Sequence, residues 1–218
     1  MNQDVIQILK KIGAVLTDDH FVYTSGKHGS VYINKDALYL HTRETSNIGK
    51  MFAEKFKDIE VDVVIAPAVG GTILSQWTAY HLSILKNKEI LSTYTEKDKG
   101  TTASAAESDQ LFRRGYDAIV KGKRALVIED LTTTGLSVKK VVDAVKAVGG
   151  TVIAVCVMVN RDPEYVTADL VGAPFSALAV LKAEAFDPAV CPLCESERPI
   201  NTRIGHGKKY LEDKSSNT

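Results

Sequence analysis

The chain has 218 residues, 27 of them basic and 27 acidic, so its formal net charge is zero. An apolar fraction of 44% and a charged fraction of 25% are ordinary for a globular protein with one hydrophobic core. The balanced charge argues against a broad attraction to nucleic acids or membrane surfaces, and no apolar run is long enough to span a bilayer or to act as a signal peptide. We therefore expect a cytoplasmic protein with no nucleic-acid or membrane partner, whose three cysteines are reduced.

The amino-terminal part of the chain predicts a small cover rather than a strand of a central sheet. Apolar residues recur at helical spacing over residues 2–12, and Gly13 follows where a helix stop is expected. Two strand-like runs come next, at 21–23 and 31–33, separated by the turn sequence SGKHGS. We interpret residues 1–40 as a helix followed by a hairpin-like hood, and a solvated surface hairpin is the alternative.

The middle of the chain alternates short apolar runs with helical patterns. Five of these runs are typical of buried strands: 61–66, 89–94, 125–128, 151–159 and 176–181. Strands that alternate with helices in this way predict an α/β fold with a doubly wound, mainly parallel five-stranded sheet. We assign this core to residues 41–185 and a carboxy-terminal extension to residues 186–218.

The segment from Ala125 to Ser137, ALVIEDLTTTGLS, carries the clearest chemical signal. Its apolar run ends in Glu129 and Asp130, so both carboxylates are expected at the carboxyl end of a buried strand, where open parallel sheets bind ligands. A hydroxyl-rich turn, from Thr132 to Gly135, then leads into an amphipathic helix whose first N–H groups favour an anion. This arrangement predicts a site for a phosphate together with a sugar or a hard cation. The alternative is an ordinary turn in which Thr134 caps the helix.

A second turn follows the strand at 61–66, at the same predicted edge of the sheet. Val69, Gly70 and Gly71 lie in this turn, and adjacent glycines let backbone N–H groups approach a ligand closely. No Gly-Lys-Ser/Thr sequence follows, so the turn is not a Walker loop. We expect it to face the same ligand as the first site, and a tight turn without a ligand is the alternative.

Residues 95–110, TEKDKGTTASAAESDQ, have no apolar period and predict a mobile loop. Lysines in a loop beside a phosphate site are suited to closing over a bound phosphate group. Lys97 and Lys99 are the candidates for that role. The alternative is a solvated loop whose charges serve only solubility.

The carboxy-terminal extension contains a C-x-x-C pair, Cys191 and Cys194, followed by His206. Together these three side chains would supply three ligands of a tetrahedral zinc site, although no second cysteine pair follows. Two free thiols packed into the extension are the alternative, and we favour that interpretation.

The segment 125–137 resembles the phosphoribosyl pyrophosphate (PRPP) signature of type I phosphoribosyltransferases, which is an apolar run, an acidic pair, an apolar residue, three hydroxyl-type residues and a glycine. The hood, with its aromatic, Ser-Gly and Tyr-x-Asn segments, is similar to that of orotate phosphoribosyltransferases. The resemblance implies PRPP-binding residues at Val69, Gly70, Gly71, Lys97, Lys99, Glu129, Asp130, Leu131, Thr132, Thr133, Thr134, Gly135 and Ser137. It implies base-binding residues at Phe21, Ser25, Lys27, Tyr32, Asn34 and Lys139.

The resemblance also implies a reaction, in which the phosphoribosyl group of Mg²⁺-bound PRPP passes to orotate and gives orotidine 5′-monophosphate and pyrophosphate. Glu129 and Asp130 would hold the ribose hydroxyls, and Lys97 would meet the charge of the departing diphosphate. No residue is implied as a direct ligand of Mg²⁺. The basic loop of the family reaches into the neighbouring subunit's site, which implies a homodimer.

Three departures from the orotate pattern keep other functions open. Thr24 stands where orotate enzymes carry a lysine, and Glu96 and Lys139 stand where they carry arginines. A lysine pairs with a carboxylate without the bidentate geometry of arginine. A purine phosphoribosyltransferase is therefore one alternative, and a PRPP-sensing regulator that binds nucleic acid is another, although the neutral net charge weighs against the regulator.

Overall fold

The computed structural model describes residues 4–23, 25–98 and 108–216. Its strands are β1 (Val15–Leu16), β2 (Phe21–Val22), β3 (His28–Gly29), β4 (Tyr32–Ile33), β5 (Val63–Pro67), β6 (Leu91–Lys97), β7 (Gln110–Leu111), β8 (Arg124–Thr132), β9 (Thr151–Asn160) and β10 (Phe175–Val180). Its α-helices are α1 (Val5–Lys11), α2 (Lys35–Tyr39), α3 (Thr42–Lys55), α4 (Gly70–Lys86), α5 (Tyr116–Val120), α6 (Leu136–Ala147), α7 (Ala168–Val171), α8 (Pro192–Glu195) and α9 (Gly207–Ser216), and a 3₁₀ turn spans Pro188–Val190.

The central sheet has the strand order β10-β9-β8-β5-β6-β7. All neighbours are parallel except β7, which runs antiparallel to β6. The predicted α/β fold with a mainly parallel sheet is confirmed, but the sheet has six strands rather than five. The sixth strand was missed because β7 has only two residues and lies at the end of a charged, turn-rich stretch. The loop predicted over 95–110 is likewise wrong at both ends, where Glu96 pairs with Leu111 and Lys97 with Gln110.

Alternating side chains of the strands fill two cores, one on each face of the sheet. In β8, Leu126 and Ile128 pack into the core covered by α1, α3 and α4, whereas Ala125 and Val127 pack against α6. All four side chains are fully buried, as expected for a parallel strand with helices on both faces. This burial holds β8 rigidly, so that its carboxyl end is a fixed platform.

The order of the strands creates a switch point between β5 and β8. From β5 the chain passes through α4 to its neighbour β6, whereas from β8 it passes through α6 to β9 on the opposite side. The two connections leave the sheet in opposite directions, and their turns therefore border a crevice at the carboxyl ends of β5 and β8.

The hood differs from the predicted single hairpin. The strand β2 pairs with β3, and β1 pairs with β4, in two separate antiparallel ribbons. The chain reverses early because Gly26 adopts a positive φ of 78° and its N–H donates to the carbonyl of Tyr23 at 2.9 Å. The second run, β4, then leads directly into α2, which reaches the sheet edge.

The carboxy-terminal extension lies against the hood through backbone hydrogen bonds. His28 and Phe186 exchange two such bonds of 2.8 Å each. The N–H of Asn201 donates to the carbonyl of His20 at 2.8 Å, and the N–H of His206 donates to that of Val22 at 2.9 Å. The extension therefore continues the hood ribbons instead of forming an independent unit. Across the described ranges, no helix combines the length and apolarity needed to cross a membrane.

Candidate active site

Two carboxylates mark the centre of the candidate site, at the carboxyl end of β8. Glu129 and Asp130 are 6% and 2% exposed, respectively. Buried carboxylates are costly unless they are protonated, hydrogen-bonded or paired with a cation. The contacts of the two side chains therefore decide what each one can do.

Asp130 is held by the hood. Its Oδ2 accepts hydrogen bonds from Lys35 Nζ and Tyr39 Oη, both at 2.9 Å, and its Oδ1 accepts one from the N–H of Leu131 at 2.6 Å. Burial alone would lower the pKa of Lys35, but the charge and hydrogen bond of Asp130, together with the charges of Glu129 and Asp36, outweigh burial and raise that pKa. Lys35 is therefore a stable cation, and its ion pair with Asp130 fastens α2 to the sheet edge.

Glu129 accepts fewer hydrogen bonds than Asp130. Its Oε1 accepts a hydrogen bond from the N–H of Asp130 at 2.9 Å, and its Oε2 accepts one from Ser137 Oγ at 3.1 Å. Burial, followed by the adjacent charge of Asp130, holds the pKa of Glu129 well above its usual range. Two of its four acceptor positions are left for ligand hydroxyls.

The turn after β5 approaches the carboxylates through backbone. A Cβ atom at Gly70 would lie 2.0 Å from Asp130 Oδ2, and one at Gly71 would lie 2.7 Å from the Cβ of Ala66. Glycine is required at these two positions because side chains would collide with neighbouring atoms. The peptide bond between Ala68 and Val69, just before them, is cis. The two glycines begin α4, so the first N–H groups of that helix face the crevice edge.

The turn after β8 is shaped by Gly135, which has a positive φ of 69° and precedes α6. Its N–H donates to Thr132 Oγ1 at 3.0 Å. The cap by Thr134 that an ordinary turn would have does not form, because the residue at the capping position is Gly135 and no side chain of the described residues caps α6 there. Thr133 and Thr134 are exposed, so their hydroxyl groups are accessible to a ligand.

A cavity of about 190 Å³ lies between the hood and this edge of the sheet. It is lined by Tyr23, Tyr32, Ile33, Asn34, Lys35, Asp36, Leu131, Thr133 and Arg161. Two of the predicted base-binding residues, Tyr32 and Asn34, are among them. The cavity adjoins the carboxylate pair through Lys35, so a ligand that fills it can reach the carboxylates.

Arg161 is the main feature of this cavity that sequence reasoning missed. Its guanidinium carbon lies 4.6 Å from the centre of the Tyr23 ring, and its Nε is buried without a hydrogen-bond partner in the described part of the chain. Its backbone N–H donates to the carbonyl of Thr132 at 2.9 Å. Its position directly after β9 was the available signal, because the strand next to β8 ends at the same edge of the sheet.

The other predicted base-binding residues lie elsewhere. Phe21 is buried in the hood, with its ring centre 5.4 Å from that of Tyr32, and Ser25 and Lys27 are exposed on the turn between β2 and β3. Lys139 Nζ lies 2.7 Å from Asp143 Oδ2, one helical turn further along the solvent side of α6. None of these four side chains lines the cavity.

Lys97 is the last residue of β6, and its side chain is exposed. The ion pairs of Arg114 with Glu96 and of Arg113 with Asp98 flank it on the surface. Lys99, the other predicted loop lysine, lies outside the described residues.

The C-x-x-C pair has different neighbours from those predicted. Cys191 and Cys194 lie beside His20 and His28, and one ligand-type atom from each of the four residues falls within 4.8 Å of the others. His206 is not part of this cluster, and its backbone N–H donates to the carbonyl of Val22. The prediction that His206 accompanies the cysteines is wrong, since sequence proximity was its only support.

Comparisons with known proteins agree with this geometry. The family described as "Phosphoribosyl transferase domain" matches residues 34–169. The orotate phosphoribosyltransferase of Caldicellulosiruptor bescii is 36% identical over 210 residues, covering 96% of this chain and 100% of the relative. That of Caldanaerobacter subterraneus is 32% identical over 198 residues, covering 91% and 94%. Among solved structures, the orotate phosphoribosyltransferase of Aeropyrum pernix aligns with a TM-score of 0.61 at 25% identity, covering 81% of this chain and 93% of that one. The chain therefore belongs to the phosphoribosyltransferase family, of the type I fold, and is most similar there to the orotate phosphoribosyltransferases.

Proposed function

We propose that the protein transfers the 5-phosphoribosyl group of PRPP to orotate, giving orotidine 5′-monophosphate and pyrophosphate. The observation that carries this proposal is the carboxylate pair at the switch point, next to a cavity that contains an arginine without a carboxylate partner in the described residues. The curated relatives that match nearly the whole chain are orotate phosphoribosyltransferases, which supports the same reaction.

In this reaction Glu129 and Asp130 would bind the ribose of PRPP. Glu129 has free acceptor positions for ribose hydroxyls, and Asp130 has one acceptor position beyond its three hydrogen bonds. As the bond from C1 of the ribose to the diphosphate breaks, positive charge develops on the ring. Fixed anions in a buried position stabilise that charge more than they stabilise the ground state.

The two turns suit the phosphate groups. The N–H groups of Gly70 and Gly71 would face the diphosphate, and the turn from Thr132 to Gly135 would hold the 5′-phosphate with hydroxyl and N–H donors. Lys97, with the loop that follows it, would meet the charge of the departing diphosphate.

Mg²⁺ fits this arrangement as part of the substrate. Asp130 already accepts three hydrogen bonds and Glu129 accepts two, so this pair of carboxylates offers few free ligand atoms. Mg²⁺ commonly binds one or two carboxylates together with substrate phosphates and water, and it would neutralise charge on the diphosphate. The residues themselves would orient the Mg²⁺–PRPP complex.

Arg161 would bind the carboxylate of the base. A carboxylate such as that of orotate forms two parallel hydrogen bonds with a guanidinium, and the contact of Arg161 with the Tyr23 ring helps to hold that guanidinium at the cavity. A purine has no carboxylate and would offer this cation only neutral acceptors, which bind a guanidinium less strongly than a carboxylate does. This observation favours orotate over a purine base.

A homodimer is part of the proposal. Ile73, Tyr80 and Ile84 lie on one side of α4 and are 39%, 53% and 60% exposed, with Trp77 between them. An apolar stripe of this kind fits the same helix of a second copy of the chain. If the basic loop serves the neighbouring site, mixing inactive Lys97→Ala subunits with inactive Asp130→Asn subunits should restore part of the activity.

The test is the release of pyrophosphate from Mg²⁺–PRPP with orotate, uracil, adenine, guanine, hypoxanthine and xanthine supplied separately. Turnover with orotate alone is the expected result. Turnover with a purine but not with orotate would reject the assignment of the base, and no turnover with any base, combined with PRPP binding, would favour a regulator.

A further inference from the structure

We propose that His20, His28, Cys191 and Cys194 form a tetrahedral Zn²⁺ site that fastens the carboxy-terminal extension to the hood. The four side chains come from opposite ends of the chain, since Cys191 follows His20 by 171 residues. Two thiolates and two imidazoles are the ligand set of many structural zinc sites, and this set selects zinc over harder ions such as Mg²⁺ or Ca²⁺.

The distances within the cluster fit a single ion. His20 Nε2 lies 2.9 Å from His28 Nδ1, and Cys194 Sγ lies 3.3 Å from His28 Nδ1. The Sγ atoms of both cysteines lie 3.8 Å from His20 Nε2. Zinc bonds of about 2.0–2.3 Å give ligand-to-ligand edges of about 3.3–3.8 Å in a tetrahedron. These four distances differ from such edges by at most about 0.5 Å, and all four ligand atoms lie within 4.8 Å of one another, so small movements would let them bind one ion.

The hydrogen bonds around the cluster prepare its ligands. His20 Nδ1 lies 2.8 Å from the carbonyl of Arg198, and a carbonyl can only accept, so Nδ1 carries the proton. The lone pair of His20 is then on Nε2, the atom that faces the cluster. A metal-bound histidine commonly has this second hydrogen bond, which sets its tautomer and orientation.

Burial supports a structural ion rather than a catalytic one. His20, His28 and Cys191 are at most 2% exposed, and Cys194 is the outermost ligand and is accessible to solvent. Without an ion, His28 Nδ1 faces both His20 Nε2 and Cys194 Sγ, and His28 Nε2 is buried with no partner in the described residues. One ring proton cannot satisfy both neighbours, whereas an ion would be bound by all four lone pairs.

The local backbone gives each pair of ligands a rigid base. His28 lies in β3, whose pairing with β2 sets it beside His20, the residue directly before β2. Cys191 precedes α8, and its carbonyl accepts from the N–H groups of Cys194 and Glu195, both at 3.0 Å. The ion would thus join the β2–β3 turn to the turn that begins α8. Because Tyr23 lies on the same turn of the hood and stacks on Arg161, the ion would also steady the base side of the cavity.

The experiment measures metal in the full-length chain purified under reducing conditions and dialysed against metal-free buffer. About one zinc ion per chain should remain, as measured by inductively coupled plasma mass spectrometry. Replacing zinc with Co²⁺ should give the intense visible bands of tetrahedral coordination, together with thiolate-to-cobalt charge transfer. Cys194→Ser and His28→Ala should lower the bound zinc at least tenfold after dialysis, with a lower melting temperature.

Two variants serve as matched controls. Cys156→Ala removes the third cysteine, which lies in the core and outside the cluster, and His206→Ala removes the histidine nearest in sequence to the cysteines. Both should retain the full zinc content. If the unaltered, reduced protein binds less than about a tenth of an ion per chain and gives no tetrahedral Co²⁺ spectrum, the proposal is overturned. Full retention of zinc by Cys194→Ser, or a Cys191–Cys194 disulfide in place of metal, would overturn it as well.

Discussion

The two ends of β8 both carry charged residues, but they differ in whether these charges are paired within the protein. At the amino end, Arg124 donates to Asp62 through Nε and Nη2, both at 2.8 Å, and its backbone N–H donates to the same carboxylate at 3.1 Å. At the carboxyl end, and within the part of the chain that the structure describes, Glu129 has no cation in hydrogen-bond contact and Arg161 has no carboxylate partner. The charges at the amino end are paired within the protein. The charges of Glu129 and Arg161 at the carboxyl end have no such pairing among the described residues and could pair with a ligand.

Folding shifts the pKa values of the carboxyl groups at the two ends, Asp62 and Glu129, in opposite directions. Hydrogen bonds from Arg124 hold the pKa of Asp62 far below its usual range, because they favour the charged form. Burial and the charge of Asp130 raise the pKa of Glu129, because they disfavour the charged form. We conclude that the charge of Asp62 at the amino end stabilises the fold, whereas the buried charge of Glu129 at the carboxyl end lowers stability.

The largest effect should come from removing both charges at the carboxyl end. The double variant Glu129→Gln, Asp130→Asn should fold and lose turnover by at least about a hundredfold, because it removes the fixed anions that face the ribose. The measurement is kcat for pyrophosphate release. Ser137→Ala is the matched control, since it removes a neutral hydrogen bond to Glu129 and should lower kcat far less. Near-normal kcat in a folded double variant would reject the assignment of the ribose site.

The second-largest effect should come from Arg161, whose guanidinium has no carboxylate partner in the described residues. Arg161→Ala should raise the KM for orotate by about tenfold to a hundredfold, as expected for the loss of a charge-assisted pair, with little change in the KM for PRPP. Lys139→Ala is the control, because Lys139 pairs with Asp143 on the solvent side of α6 and should be neutral. A rise of the orotate KM in Lys139→Ala alone would restore the lysine as the carboxylate partner.

A smaller effect should appear in the stability of Glu129→Gln. The glutamine keeps the shape and removes a buried charge, so the melting temperature near pH 7.5 should rise by about 2–4 °C while kcat falls. Because the pKa of Glu129 is raised on folding, its cost to stability is absent below the ordinary value of 4.5 and grows as the pH rises above it. Thermal unfolding between pH 4 and 8 measures this. A gain that is equal at all pH values would mean that the charge of Glu129 is not responsible.

The smallest effect on function should come from the amino end. Asp62→Asn should lower the melting temperature by about 2–4 °C at pH 7 and leave kcat unchanged. Because the pKa of Asp62 is lowered on folding, the charge of Asp62 stabilises the folded protein above the ordinary pKa of 3.8. This stabilisation is lost as the pH falls below that value. The difference between the two proteins should therefore shrink in acid. A loss of kcat would show that the two ends are not independent.

Local pattern was sufficient to predict the position of the carboxylates. The apolar run before Glu129 and the Gly-rich turn after β5 identify strands that end at one edge of the sheet, and that edge follows from the parallel order of the strands. The two-residue strand β7 was beyond such reasoning, since a strand that short has no period.

Side-chain partners over long sequence separations could not be predicted. The assignment of Lys139 to the base followed from the family resemblance, in which an arginine stands at that position, whereas Arg161 lines the cavity from the end of the neighbouring strand β9. His206 was named as a companion of the cysteines because it follows them in the sequence, and the distant His20 and His28 were not considered. A single sequence gives no information on which distant segments pair across the hood.

The pairing of the hood with the extension sets an order for biosynthesis. The strands β2 and β3 leave the ribosome early, but their backbone partners Phe186, Asn201 and His206 follow more than 150 residues later. At about 5–20 residues per second, the hood waits roughly ten seconds or more for these partners. The sheet that carries the turns after β5 and β8 can meanwhile form from residues already made. A ribosome-bound chain that has emerged from the ribosome as far as about residue 185 should therefore bind PRPP before it can bind a base.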